Sequence, residues 1–429
     1  MNCNCEASEV NQAQDRSYLG IYAKSHPALE SKGFFLGGDS PSIFSSVTGE
    51  RLVEVGEDSS AKLERWALHS VAQHVLRRTE HRIRGCCRWM LKSKEKGRSA
   101  VQVYRSFEHG SCSYGGLQTC GSVWCCPVCA AKITERRRVE LKQAIGIHEE
   151  RGGGVVLLTL THPHTKTDRL ADLLVAEQKA MTRFFGSRAG VGLMASMGRV
   201  GHVRGWEVTH GRKRGPGRDN GWHPHFHILL FLKQPLGVDE RLVFENSAYE
   251  LWLRVCQKAG LGLPSRRYGV RLDDGSKAAE YAAKFGLEEP RWGLDAEMTK
   301  AHVKRVKDGE GPFDLLRSVL CEKDRTAPAL FREYADSFKG KRQLVWSRGL
   351  RDFLNLRNDI SDEELAAEID DHAELLGQLT ILQWRLILFF DVRGELLQVA
   401  QAGWEAVLHF LSDLRIRELQ ICSTKVEDG

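Results

Sequence analysis

The sequence predicts an α+β protein built on a central antiparallel sheet that carries helices. Three observations lead there. Between residues 155 and 287, short apolar runs alternate with stretches of helical spacing, in the order strand, helix, strand, strand, helix, strand, helix. The strands expected at 203–209 and 225–232 are joined by a glycine- and arginine-rich turn (residues 211–221), which makes them an antiparallel hairpin. A chain of 429 residues, 42% hydrophobic and 28% charged, can bury one large core or two moderate ones, and helices laid on such a sheet close it.

Composition narrows the function classes. A net charge of +6 is compatible with a nucleic-acid partner without being diagnostic of one. Twelve cysteines in a chain this long do not make a disulfide scaffold, and residues 1–30 are polar, with no apolar run that reads as a secretory signal. The expected compartment is the cytoplasm, where clustered thiols bind metal. No stretch has membrane-spanning length; the run from Leu379 to Phe390 is short and interrupted by Arg385.

Four regions follow in order. Residues 1–60 are polar and aperiodic, and read as a poorly ordered leader. Residues 61–150 hold a helix (61–82), a hairpin with strands around Trp89 and Val101–Tyr104 and a basic tip, a cysteine cluster, and a basic helix from Ala131 to Lys142. In that cluster Cys126-Pro-Val-Cys129 has the spacing of a zinc knuckle, with Cys120 close upstream; Cys112, Cys125 or His109 could supply a fourth ligand to a structural Zn²⁺. Arg136 to Arg138 could grip a phosphate backbone or form a solvated helix face.

Residues 151–355 form the central domain. Val155–Thr161 reads as a central strand and residues 168–187 as a helix starting at Asp168; a helix at 243–259, a strand at 267–272 and a helix at 276–287 follow. Residues 289–312 form an irregular insert, 313–320 and 327–338 are helices, and Arg342–Trp346 is a last strand. Residues 356–429 begin with the capping box Ser361-Asp-Glu-Glu364 and read as a small helical appendage, including Leu365, Ile369, Leu375 and Leu376.

The densest chemistry lies in residues 221–232, GWHPHFHILLFL. On a strand His225 and His227 share one face while Phe226 packs on the other. Glu207, on the preceding strand of the hairpin, can join them. Two imidazoles and one carboxylate leave coordination positions open, which suits Mg²⁺ or Mn²⁺ meeting a phosphate. Pro224 can turn the chain ahead of His225, which leaves His223 outside the ligand set. Downstream, Tyr281 and Lys284 stand one turn apart on the expected helix.

The His-hydrophobic-His strand followed by Tyr-x-x-Lys resembles the HUH endonucleases, and within them the single-tyrosine initiators of rolling-circle plasmid replication. The resemblance runs over residues 112–355 and includes Leu158–Thr161 and the segment Lys339–Leu350. It implies an HUH-nuclease-like sheet carrying the metal ligands His225, His227 and Glu207, with Tyr281 as the nucleophile and Lys284 as its helper. Within the cysteine cluster it points to Cys120, Cys126 and Cys129 and leaves Cys125 as an extra; of the candidates for the fourth ligand, Cys112 is the one expected here.

The activity so implied is nicking of single-stranded DNA at an origin hairpin, with host helicase and polymerase as partners and no membrane. Some such initiators carry a carboxylate four residues before the tyrosine; here Lys277 fills that position, and Glu280, Glu288 or Glu289 are the candidates to replace it. Competing readings are an HUH transposase or relaxase, a non-catalytic zinc-bearing DNA-binding regulator, and a metallohydrolase of small phosphates.

Overall fold

The computed structural model describes residues 42–44, 51–54, 57–92, 100–107, 110–213, 219–276, 278, 309–357, 359–369 and 372–427. The chain divides into two units: Met1–Trp66, Gly85–Gln118 and Ile369–Gly429 form one, and Ala67–Arg84 and Thr119–Glu368 the other. It is an α+β protein with antiparallel sheets and a cysteine-rich module, as the sequence predicts. Among the described residues no helix is long and apolar enough to cross a membrane.

In chain order the elements are β1 (Ser42–Phe44), β2 (Arg51–Glu54), α1 (Glu57–Val75), β3 (Val101–Ser106), β4 (Cys112–Gly115), α2 (Pro127–Glu150), β5 (Gly154–Leu160), α3 (Leu170–Gly186), α4 (Arg188–Ser196), β6 (Arg199–His210), β7 (Trp222–Leu232), α5 (Val238–Ala259), β8 (Val270–Asp273), α6 (Pro312–Glu322), α7 (Ala327–Phe338), β9 (Leu344–Trp346), α8 (Leu350–Phe353), α9 (Asp362–Ala367), β10 (Ala373–Leu379), α10 (Ile381–Phe390), α11 (Arg393–Ala400) and α12 (Trp404–Glu427).

The second unit is built on a five-stranded sheet in the order β8-β5-β7-β6-β9, antiparallel throughout. β5 reads as a nearly unbroken apolar run because it is central and covered on both faces. β7 records where the cover changes. Its residues alternate buried and half-buried from Trp222 to His227, and from Ile228 to Leu232 all are buried. The change marks the edge of a core in which Leu141, Ala144 and Ile145 of α2 pack with Leu350 and Leu354 on Leu157, Val203, Leu229 and Phe231. On the opposite face Trp206 meets Phe338 of α7, and Trp222 stacks on Tyr334.

Pro224 does not turn the chain, contrary to the sequence expectation. It lies inside β7 opposite Val208, beyond Leu160↔Phe226, the last pair β7 makes with β5. β7 has a single neighbour there, and a strand tolerates a missing N–H at such a place. The turn between β6 and β7 closes with Gly211 N–H donating to the Gly221 carbonyl at 2.9 Å. Gly221 has φ +75°, and a Cβ there would stand 3.0 Å from the Thr165 carbonyl oxygen.

The first unit holds the three-stranded sheet β10-β3-β4 and helices α10 to α12. Two expectations change here. The segment around Trp89 does not pair with Val101–Tyr104; β3 pairs with β4, and Met90 forms a bridge to Leu117. The chain turns at Arg82–Gly85 and again at Cys87 (φ +48°), which leaves too short an extended run for a hairpin with β3. Residues 373–379, read as helical, form β10 on the other edge of β3. Gly377 lies against the Trp404 ring, where a Cβ would come within 2.3 Å, a close approach that favours strand over helix.

Candidate metal centres

Three side chains meet on one face of the sheet. Glu207 stands directly opposite His225 in the β6–β7 register, and His227 lies one diagonal step along the same face. Glu207 Oε2 is 3.3 Å from His225 Nε2 and 3.1 Å from His227 Nε2. Donors on neighbouring corners of an octahedron with bonds of about 2.1 Å stand about 3 Å apart, so the set fits a small divalent cation. Two nitrogens and one carboxylate leave further positions for substrate oxygens.

The other ring nitrogens are engaged so that Nε2 points inward. His227 Nδ1 is 3.0 Å from Thr159 Oγ1 on β5, its cross-strand partner. His225 Nδ1 reaches the His223 carbonyl at 3.4 Å. Such partners fix tautomer and orientation in a ligand. Sequence reading did not single out Thr159. The signal was present: a hydroxyl in an otherwise apolar strand, at the position facing the site.

Electrostatics match a cation site. Burial works against the Glu207 carboxylate, but the charges and hydrogen bonds of His227 and His225 outweigh it and hold its pKa well below the usual range. Burial likewise opposes the His225 imidazolium, and the Glu207 hydrogen bond and charge overcome it, so its pKa is raised.

His223 stays on the same face. His164 donates Nδ1–H to the Asn220 carbonyl at 2.7 Å, and its Nε2 accepts from His223 Nδ1–H at 2.7 Å. The two form a separate imidazole pair beside the three-residue set.

Three buried thiols of the second unit form another group. The Sγ atoms of Cys120, Cys126 and Cys129 lie within 4.8 Å of one another. Cys120 Sγ is 3.7 Å from Cys129 Sγ, and a tetrahedral Zn²⁺ with bonds of about 2.3 Å sets its sulfurs about 3.8 Å apart. Cys126 caps α2, accepting from Cys129 N–H at 3.4 Å, with Pro127 at the first helical position. The group could hold zinc.

Cys112, expected as the fourth ligand, stands on β4 of the first unit, opposite Arg105, and burial pushes its thiol up to about 11. Cys125 lies outside the three-thiol group, against Ser122 at 3.0 Å.

Other expectations resolve differently. Arg136 pairs with Glu368 at 3.1 Å, Arg137 with Asp359 at 2.9 Å, and Arg138 with Glu135, so the arginines of α2 serve carboxylates of the chain itself. Tyr281, Lys284 and Glu280 lie outside the described residues, as do Lys277, His109, Glu288 and Glu289. Ala278 is described. It is buried in the core cluster on the metal-ligand face of the sheet, three residues before Tyr281. A cavity of about 430 Å³ lies away from the three-residue set, between Cys120–Cys125 and Lys339–Leu344; Arg82 and Arg137 on its wall are paired with Glu363 and Asp359.

Residues 116–260 match a family model described as Replication protein. The chain is 29% identical to Protein rep of Streptomyces lividans, over 70% of this chain and 74% of that protein. It is 30% identical to a Streptomyces cyanogenus protein described as Neomycin resistance protein, over 27% of this chain and 31% of that one. No solved structure matches. The family match takes in Cys120, Cys126, Cys129, Thr159, Glu207, His225 and His227, and it stops before Tyr281. These likenesses support the resemblance to plasmid replication initiators.

Proposed function

We propose that this chain, which its likeness to replication proteins supports as a plasmid replication initiator, starts rolling-circle replication by cutting one DNA strand with a tyrosine. The observation that carries the reading is the Glu207–His225–His227 set on one face of the sheet, inside the segment that matches replication proteins.

Glu207, His225 and His227 would hold Mg²⁺ or Mn²⁺, which when bound supplies positive charge to the scissile phosphate. Thr159 keeps His227 Nε2 directed inward. Tyr281 is the nucleophile. Its phenol, with an ordinary pKa near 10, needs a neighbouring cation to deprotonate, and Lys284, three residues on in the sequence, fits that role. The phenolic oxygen attacks phosphorus and the P–O3′ bond breaks. The phenolic proton leaves to solvent, and the departing 3′ oxygen takes one up. The products are a 5′-phosphotyrosine and a 3′-hydroxyl. One phosphodiester replaces another, so the link can later be transferred or hydrolysed, with Glu280 the nearest carboxylate in sequence. The substrate is the unpaired strand of an origin hairpin, and a host helicase and polymerase would extend the 3′ end. The buried thiols would hold a structural Zn²⁺ that fixes the start of α2.

The test is a labelled single-stranded origin oligonucleotide with Mn²⁺. Wild type cuts it, and His227→Ala binds without cutting. Binding without cutting by wild type itself would make the chain a DNA-binding regulator.

A further inference from the structure

The strand that turns Glu207 toward one face of the sheet turns Arg204 and Trp206 toward the other. There, where β6 meets the edge strand β9, lies a half-open cavity of about 220 Å³, walled by Arg204, Trp206, Phe226, Lys341, Arg342 and Gln343.

Three features of this cavity go unused by the chemistry above. The first is a rigid aromatic wall. Trp206 stacks on Phe226 at 5.2 Å, meets Phe338 edge-on at 5.9 Å, and donates its indole N–H to the buried Glu177 at 3.2 Å. The second is uncompensated positive charge. Lys341 sits over the Trp206 ring at 5.3 Å. Among the described residues no carboxylate pairs with Arg204, which is half-buried. Burial pulls the Arg204 pKa down, yet a guanidinium stays protonated, so a desolvated cation is left without an anion. The third is Gln343 Oε1, which is buried and has no hydrogen-bond partner among the described residues. A buried acceptor with no partner is costly unless something fills it.

An aromatic platform, a guanidinium without counter-charge and a free amide acceptor are together the chemistry that binds an unpaired nucleotide. We propose that this cavity takes one nucleotide of the single strand, on the face of the sheet opposite the metal ligands. Its base lies against Trp206 and gives an N–H to Gln343, and its phosphate faces Arg204; Arg342 is already paired with Asp359 at 3.1 Å. Trp206 and Glu207 are consecutive, and among the described residues β9 alone lies between β6 and the sheet edge. DNA held at Glu207 therefore reaches the cavity by crossing that edge beside Lys341 and Arg342. The site would anchor the strand beside the cut. This inference rests on the nicking reading, and its test separates the two.

The test uses the full-length protein without divalent cation, so that DNA binds uncut. Fluorescence anisotropy with a single-stranded origin oligonucleotide gives affinity and its salt dependence. Arg204→Gln and Gln343→Leu serve as variants, each first shown to keep the wild-type melting temperature. Loss of one stacked, hydrogen-bonded nucleotide weakens binding by roughly tenfold, and Arg204→Gln also flattens the salt slope by about one phosphate contact. An oligonucleotide carrying 5-iodouracil should crosslink on irradiation to a peptide containing Trp206 or Gln343. Wild-type binding and cutting with both variants unchanged, and crosslinks only elsewhere, overturns the cavity proposal and leaves the nuclease intact. Failure of wild type to bind single strands overturns both.

Discussion

Replacing Thr159 by valine tests how the metal-type site is held. The exchange keeps the shape and removes one hydroxyl, the group 3.0 Å from His227 Nδ1. If that hydroxyl were one hydrogen bond among many, the loss would be about 1 kcal/mol of stability, partly offset by the added methyl in a half-buried position. The geometry assigns it more. Held by Thr159, the ring keeps its proton on Nδ1 and presents the Nε2 lone pair toward Glu207. Released, it can take the other tautomer or rotate. Removing such a partner of a metal-ligating histidine costs about 10- to 100-fold in affinity, or roughly 1.4–2.7 kcal/mol. Calorimetric titration with Mn²⁺ measures this directly, and cutting at sub-saturating Mn²⁺ should fall in parallel. A Thr159→Val protein with unchanged Mn²⁺ affinity would refute the assigned role of the hydroxyl.

Further outcomes follow from other contacts. Purified protein should carry one zinc; Cys126→Ser and Cys129→Ser should lose it and melt at lower temperature, whereas Cys125→Ser should keep it, all read by elemental analysis and thermal unfolding. Mn²⁺ affinity should depend on pH with a defined sign: His225, its pKa raised by Glu207, must give up a proton to bind metal, so affinity is full above that raised pKa and falls about tenfold per unit below it. Metal-free stability runs the other way, since the His225–Glu207 pairing contributes below the ordinary imidazole pKa and fades as pH rises through the raised one. Denaturant melts with and without Mn²⁺ should show both trends. Glu177→Leu strips the fully buried carboxylate from His162 (2.9 Å) and Trp206 (3.2 Å) and should cost about 3–5 kcal/mol in denaturant unfolding.

The sheet and the metal set were legible because both depend on short-range periodicity. Alternation along residues 222–227 fixes which side chains share a face, and a hairpin fixes which strand lies beside it. What failed depends on distant partners. Leu375 and Leu376 carry no local mark that β3 offers them an edge. Arg136 to Arg138 look like a DNA-binding stripe until the carboxylates between Asp359 and Glu368 come within reach. Pro224 misled for a subtler reason: its effect depends on whether the strand has one neighbour or two, which is a property of the sheet. Thr159 was hidden by the same dependence, since its role exists only through the β5–β7 register.

The account turns on the chemistry of one phenol, and mass spectrometry of the protein–DNA adduct addresses it. Protein incubated with an origin oligonucleotide and Mn²⁺, then digested with trypsin and nuclease, should give one peptide bearing a 5′-linked nucleotide on Tyr281, absent in Tyr281→Phe. An adduct on another residue, or efficient cutting with no adduct at any residue, would contradict it.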